Sequence, residues 1–216
     1  MVVSLEDSLR RLRTDYVDIY HLHGVRPDAY TDLRDRLLPT LVKLKEQGKI
    51  RYLGITEAFN DDPGHALLAQ ALDDDLFDVV MVGFNLLNQS ARELVFPRTR
   101  AQNVGTLIMF AVRRALSRPA RLRELLDELA ARGQLDKRTA EAGLDFLLHA
   151  DGAHSLPDAA YRFVRDEPGA HVVLSGTGSR AHLLENLASL EAPALPARDR
   201  ERLLTLFEGV ADITGQ

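Results

Sequence analysis

The feature that most restricts this chain is a strand-to-helix alternation that repeats five times along its 216 residues. The apolar runs are YVDIYHLH (16–23), IRYLGIT (50–56), FDVVMVGFNLL (77–87), VGTLIMFAV (104–112) and HVVLSG (171–176). Each is followed by residues whose apolar positions recur at helical spacing, as in Leu33, Leu37, Leu41 and Leu44 before the stop at Gly48. A helix capped by Ser4 precedes the first run. Helices are also expected from Pro63 to Leu72, over 90–102, around 120–131, over 139–149, 156–166 and 179–190, and from 197 to about 211. The runs are mostly continuous, the pattern of parallel strands covered on both faces. A right-handed βα repeat builds either an open doubly wound sheet or an eight-unit barrel. No GxGxxG follows a strand, so the dinucleotide fingerprint of the open sheet is missing. Five units are three short of a barrel.

Composition removes several classes of function. A net charge of −5 and a pI near 5.8 argue against a nucleic-acid surface, which needs a basic face. Without cysteine there is no disulfide framework and no thiolate chemistry. No run of eighteen apolar residues is present, and the first sixteen residues read as an amphipathic helix and not as a cleavable leader. These features predict a cytoplasmic protein with no membrane or nucleic-acid partner.

Three stretches carry candidate chemistry. In YVDIYHLHGV, His21 and His23 point to the same side of a strand. They fit a metal clamp, a substrate-polarising group or a pair of structural side chains. A metal site in a barrel needs ligands from other strand ends, and those ends here are Thr56-Glu57, Asn85, Ala111-Val112 and Ser175-Gly176, so no metal is expected. In LSGTGSRAHLLENL (174–187) a strand runs through Ser175, Gly176, Thr177, Gly178 and Ser179 straight into a helix. That arrangement offers backbone amides to an anion, with Arg180 and His182 adding charge in the first turn, although Ser179 is equally a plain N-cap. The arginines of the long polar excursion from Arg113 to Leu156 are expected to form a solvated helix face, and the excursion itself is either a substrate-covering loop or a packed helical hairpin.

Taken in order, SLEDSLRRLRTDYVDIYHLH, LVKLKEQGKIRYLGIT, FDVVMVGFNLLNQ and AYRFVRDEPGAHVVLSGTGSRAHLLENL resemble the aldo-keto reductase family over nearly the whole chain. The resemblance implies an α/β fold of parallel (β/α) TIM-barrel type, incomplete, with about five βα units of the usual eight. It implies a single domain over 1–216 with a helical insert at about 113–156. It further implies a nicotinamide cofactor, NADP(H) or NAD(H), and a small carbonyl or alcohol substrate such as a sugar, aldehyde or ketone.

On that resemblance His23 is the active-site histidine that donates a hydrogen bond to the substrate, and His21, one layer deeper, is a satisfied core polar group. Thr56 and Glu57 stand where the family has an amide-binding Ser-Asn pair. Met81 stands where it has a glutamine, and Phe110 replaces the aromatic that stacks on nicotinamide. Ser175, Gly176, Thr177, Gly178, Ser179, Arg180, His182, Glu185 and Asn186 fall in the segment that takes the cofactor phosphates and adenine. Gly176 replaces a lysine common in NADP-specific members, leaving the choice between the two cofactors open. The family's Asp, Tyr and Lys come from the first three βα units, and Tyr16, Tyr20 and Tyr30 do not sit in that motif. The expectation is therefore an N-terminally shortened oxidoreductase with little turnover. The alternative is a non-catalytic cofactor-binding or assembly module that self-associates through open sheet edges.

Overall fold

A computed structural model describes residues 1–216. The chain runs α1 (Val2–Leu12), β1 (Val17–Val25), α2 (Tyr30–Glu46), β2 (Ile50–Glu57), α3 (Ala66–Asp73) and β3 (Val79–Gly83). It continues through α4 (Ala91–Leu94), α5 (Phe96–Ala101), β4 (Gly105–Met109), α6 (Arg114–Ser117), α7 (Pro119–Ala131) and α8 (Lys137–Ala142). It closes with α9 (Leu156–Arg165), β5 (Val172–Val173), α10 (Arg180–Glu191) and α11 (Ala197–Leu206).

The five strands form one parallel sheet in the order β1-β2-β3-β4-β5. Every crossover steps the same way, so the sheet has no point at which strand order reverses, as a doubly wound sheet must. The architecture is therefore of the parallel TIM-barrel type, with five of the eight βα units of a full barrel.

Strand alternation decides which face is covered. Leu53, Ile55, Val80, Val82, Thr106 and Ile108 are buried on the side the helices occupy. On the other side Val79, Met81, Leu107 and Met109 are half-buried, and Tyr52 is 51% exposed. This corrects the expectation of strands covered on both faces: the inner side of a curved sheet meets other strands, not helices, and five strands leave it half-open.

Local chemistry moves several boundaries. α1 starts at Val2, so Ser4 lies inside the helix and does not cap it; the Ser4 carbonyl accepts from the Ser8 hydroxyl at 2.9 Å. α3 starts at Ala66 because the Asp62 carboxylate accepts from the Ala66 and Leu67 amides at 2.9 and 2.8 Å. The helix expected over 90–102 breaks into α4 and α5 at Val95, ahead of Pro97, which lacks an amide to continue the ladder. That expected over 139–149 stops at Gly143, with φ +64°, and leaves a short 3-10 turn at Asp145–Leu147. β3 ends early because Asn85 Oδ1 takes the amides of Leu87 and Asn88, both at 3.0 Å, turning the chain. Between β4 and β5 the excursion is packed helix: α7 buries Leu122, Leu125, Leu126 and Leu129 on one stripe.

Gly83 closes β3 against the Phe59 ring, and a Cβ there would fall inside that ring's van der Waals envelope. Phe59 is itself buried between other aromatic groups. Gly83→Ala is expected to cost about 1–3 kcal/mol through overpacking, read as a lower urea midpoint at unchanged slope.

Candidate functional site

Because all five strands are parallel, their carboxyl ends share one rim, and catalytic groups in sheets of this kind lie there. His23 near the end of β1, Thr56 and Glu57 ending β2, Phe110 after β4 and the turn Ser175–Ser179 after β5 all stand at that rim. A cavity of about 1260 Å³ opens between the exits of β4 and β5. Seven of the residues singled out from sequence line it: Phe110, Ser175, Gly176, Thr177, His182, Glu185 and Asn186. Gly178, Ser179, Arg180, Thr56, Glu57, Met81 and His23 do not.

The turn after β5 is built to leave backbone free. Ser179 Oγ accepts the His182 amide at 3.4 Å, and Thr177 Oγ1 accepts the Ser179 amide at 3.1 Å. Ser175 Oγ receives the Tyr161 hydroxyl at 3.1 Å and Asn186 Nδ2 at 2.9 Å, fixing the start of the turn to α9 and α10. The amides of Gly176, Thr177 and Gly178 donate to no protein acceptor, and nothing lies within 4 Å of where a Cβ on either glycine would sit. Exposed amides at the start of a twelve-residue helix, with glycines giving close approach, fit an anionic group such as a diphosphate.

At the other end of the rim, β1 carries a bulge. Leu22 pairs with Ile55 and Val25 with Glu57, so His23 and Gly24 together oppose Thr56. Gly24 takes φ +61°, and its amide donates to Thr56 Oγ1 at 2.6 Å. Thr56 is thus a buried clamp across the strand ends, and His23 is left exposed. His21 differs from the expectation of a satisfied core group: its ring lies over Gly54 on the half-open face, and Nε2 is buried with no partner. Burial, then the neighbouring His23, pulls the His21 pKa down.

Glu57 also departs from its expected place. Adjacent strand residues face opposite sides, so if Thr56 faces the inner side, Glu57 faces the helices. Its carboxylate has no exposure. It accepts the Gly83 amide at 2.7 Å and His65 Nδ1 at 2.9 Å, while His65 Nε2 stands 3.0 Å from Ser90 Oγ. Burial pushes the Glu57 carboxyl up, with His65 opposing. Period-two alternation, applied strictly, would have separated Thr56 from Glu57 before any coordinates.

Phe110 sits in the left-handed region at φ +67°, an uncommon state for a bulky residue. Its ring stacks with Phe59 at 6.0 Å between centroids, and Phe59 stacks with His65 at 5.7 Å. The Arg113 guanidinium lies 4.0 Å from the Phe110 centroid. Arg113 is 7% exposed, which corrects its reading as part of a solvated arginine face; Arg114, Arg118 and Arg123 are exposed. Nothing in the sequence distinguishes Arg113 from Arg114. No three His, Asp or Glu side chains converge closely enough to hold a metal ion.

Comparison with known proteins gives a consistent set of likenesses. The model of the Aldo/keto reductase family matches residues 1–206. The aldo-keto reductase YhdN of Bacillus subtilis (strain 168) is 25% identical over 226 residues, covering 100% of this chain and 66% of that protein. L-galactose dehydrogenase of Arabidopsis thaliana is 43% identical over 53 residues, 24% of this chain and 17% of that one. Among solved structures, the holo form of aldo-keto reductase AKR11C1 from Bacillus halodurans superposes with a TM-score of 0.67 at 24% identity, covering 94% of this chain and 65% of that chain. An aldo/keto reductase from Klebsiella pneumoniae in complex with NADP and acetate superposes with a TM-score of 0.60 at 23% identity, covering 96% and 64%. The chain thus spans just under two thirds of the length of these full-length matches.

Proposed function

We propose, from the premise that this chain belongs to the aldo/keto reductase family, that its carboxyl rim holds a nicotinamide dinucleotide for oxidation or reduction of a small carbonyl or alcohol. When bound, that group supplies the hydride. The Ser175–Thr177 turn and the start of α10 would take its diphosphate, and His182, Glu185 and Asn186 line the same cavity toward the adenine end. His23, exposed at the mouth of β1, would donate a hydrogen bond to the substrate oxygen and polarise it. Gly176 places no cation beside the turn, and both NADP(H) and NAD(H) fit this reading. The observation that carries it is the free-amide turn opening into a cavity on the same rim as His23.

The tyrosines of this chain are engaged away from His23. Of the five tyrosines, Tyr30 donates to Asp74 at 2.6 Å with its pKa pushed up by burial and that carboxylate, Tyr161 donates to Ser175, and Tyr16 lies under Arg51. Tyr20 packs on the helix-facing core, and Tyr52 stands opposite Ile19, deeper on the inner face. Lys45 and Lys49 are paired with Asp78 and Glu6, and neither is bonded to a tyrosine. A placed general acid contributes roughly 10²–10⁴-fold, so slow turnover is the corollary. Fluorescence titration with NADPH is expected to give saturable binding that Gly176→Val weakens about tenfold or more by filling the approach to the turn. Unaltered binding by the variant would overturn the assignment of the turn. Turnover of a simple aldehyde on the order of 10 s⁻¹, the usual enzyme scale, would overturn the corollary.

A second reading, a binding or assembly module, is favoured by the half-open inner face and the unpaired edges of β1 and β5. It would appear as a defined oligomer by size exclusion with light scattering.

A further inference from the structure

Helix α10 has two unlike faces. The inner one is anchored: Asn186 Nδ2 donates to Ser175 Oγ, Ser189 is buried, and Arg165 Nη1 donates to the Leu190 and Ala192 carbonyls at 2.8 and 2.7 Å. His182, Glu185 and Asn186 line the cavity from that side. The outer face carries Arg180, Leu183, Leu184, Leu187, Ala188 and Glu191, spaced three, four, seven, eight and eleven residues from the first, which is one stripe of a helix. Leu183, Leu184 and Leu187 are 46%, 56% and 48% exposed. Large apolar side chains left side by side in water are costly, and a contiguous patch of them marks an association surface.

The ends of the stripe indicate what covers it. Arg180 and Glu191 are exposed, and the ion pairs of this part of the chain, Arg165 with Asp166, Arg198 with Asp199 and Arg200 with Glu167, leave both without a partner. Laid antiparallel on a second α10 about a two-fold axis between residues 185 and 186, the stripe meets itself. Leu184 then opposes Leu187, Leu183 opposes Ala188, and Arg180 opposes Glu191. A parallel arrangement would set Arg180 against Arg180 and Glu191 against Glu191, so the charges select the antiparallel one. One cation on the stripe is too few for a lipid surface.

We propose that the outer face of α10 is the contact of a two-fold homodimer, with a second copy of this chain as the partner. The stripe faces away from the cavity, so the proposal does not rest on the dinucleotide reading, and it does not draw on the open edges of β1 and β5. Twelve residues span about 18 Å, short for a permanent interface, and a reversible dimer with a Kd of roughly micromolar order follows.

Sedimentation velocity of the full chain over roughly 1–200 µM is the test. Leu184→Glu is expected to raise the dimer Kd about tenfold or more. Arg180→Glu should raise it about three- to tenfold, and Arg180→Glu combined with Glu191→Arg should restore the wild-type value. A monomer at every concentration overturns the proposal and leaves the stripe to another partner. A dimer indifferent to Leu184→Glu overturns it in favour of the sheet edges. Circular dichroism checks folding, and if Leu184→Glu fails to fold, cross-linking decides. The chain has no cysteine, so Arg180→Cys with Glu191→Cys carries the only thiols, about 16 Å apart along one helix and beyond the reach of a bridge within a chain. Mild oxidation should give a covalent dimer, and Arg180→Cys alone should give little. Equal yields from the two, or none from either, refute the antiparallel contact.

Discussion

Arg162→Met is expected to lower the thermal midpoint by roughly 6–20 °C, combining a loss of about 3–5 kcal/mol with about 2–4 °C per kcal/mol for a chain of this size. Arg162 is 3% exposed in α9. Its Nε donates to the Pro193 carbonyl at 2.8 Å, Nη1 to Gly152 at 2.8 Å and to Asp158 Oδ2 at 3.2 Å, and Nη2 to Ala194 at 3.1 Å. One planar group therefore ties the segment before α9 to the connection between α10 and α11. Methionine keeps the stem but leaves three carbonyls without a donor and takes from the buried Asp158 carboxylate its ion pair, leaving it the His154 amide at 3.0 Å. Arg162→Lys should recover little, because a single ammonium cannot span the same set. Differential scanning calorimetry reads the effect, and a shift of less than about 2 °C would contradict this account of α9.

How far the letters alone reach is clear from the same region. The periodicity places α9 correctly, since its apolar stripe recurs at helical spacing, yet Arg162 and Arg165 look like any two basic residues near a helix end. Both in fact reach backbone carbonyls brought alongside by distant chain, and Arg162 alone is fully buried there, which no local pattern records. Glu57 is the opposite case. Strand alternation contains enough information to turn it away from Thr56, and the family pattern of two adjacent binding residues hid that. The bulge at His23 and Gly24 and the left-handed Phe110 are tertiary compromises at strand exits, where neither propensity nor period has force. The strands, the glycine stops and the turn after β5 were legible because each follows from local sterics or from hydrophobic spacing.

Glu57 supplies the other large effect. Glu57→Ala removes the acceptor for the Gly83 amide and for His65 Nδ1 in a site without solvent, with an expected loss of about 3–5 kcal/mol. Its ionisation also sets a pH dependence. Burial, opposed by His65 and the Gly83 amide and reinforced by Asp62, raises its pKa above 4.5, so the folded state holds this proton to higher pH than the unfolded state does. The stabilising contribution is therefore complete below 4.5 and disappears as pH rises through the raised folded value. Glu57→Gln cannot ionise. Urea unfolding of both proteins at a series of pH values should show wild type losing stability relative to Glu57→Gln from pH 4.5 upward. A difference independent of pH would mean the carboxyl titrates normally.

The shortness of β5 has a kinetic and energetic consequence. β1 and β2 are joined by partners 32 residues apart, as in Gly24 and Thr56, whereas β4 meets the segment at β5 across 65, as in Thr106 and His171. Closing a loop of twice the length costs only about 0.6 kcal/mol more, but a two-residue strand has few ladder bonds with which to offset it. Amide exchange should accordingly be fastest, among the strands, where the 175–177 turn is mounted. A ligand seated on that turn would bridge the most weakly laddered seam of the sheet, so its binding and the protection of β5 amides would rise together.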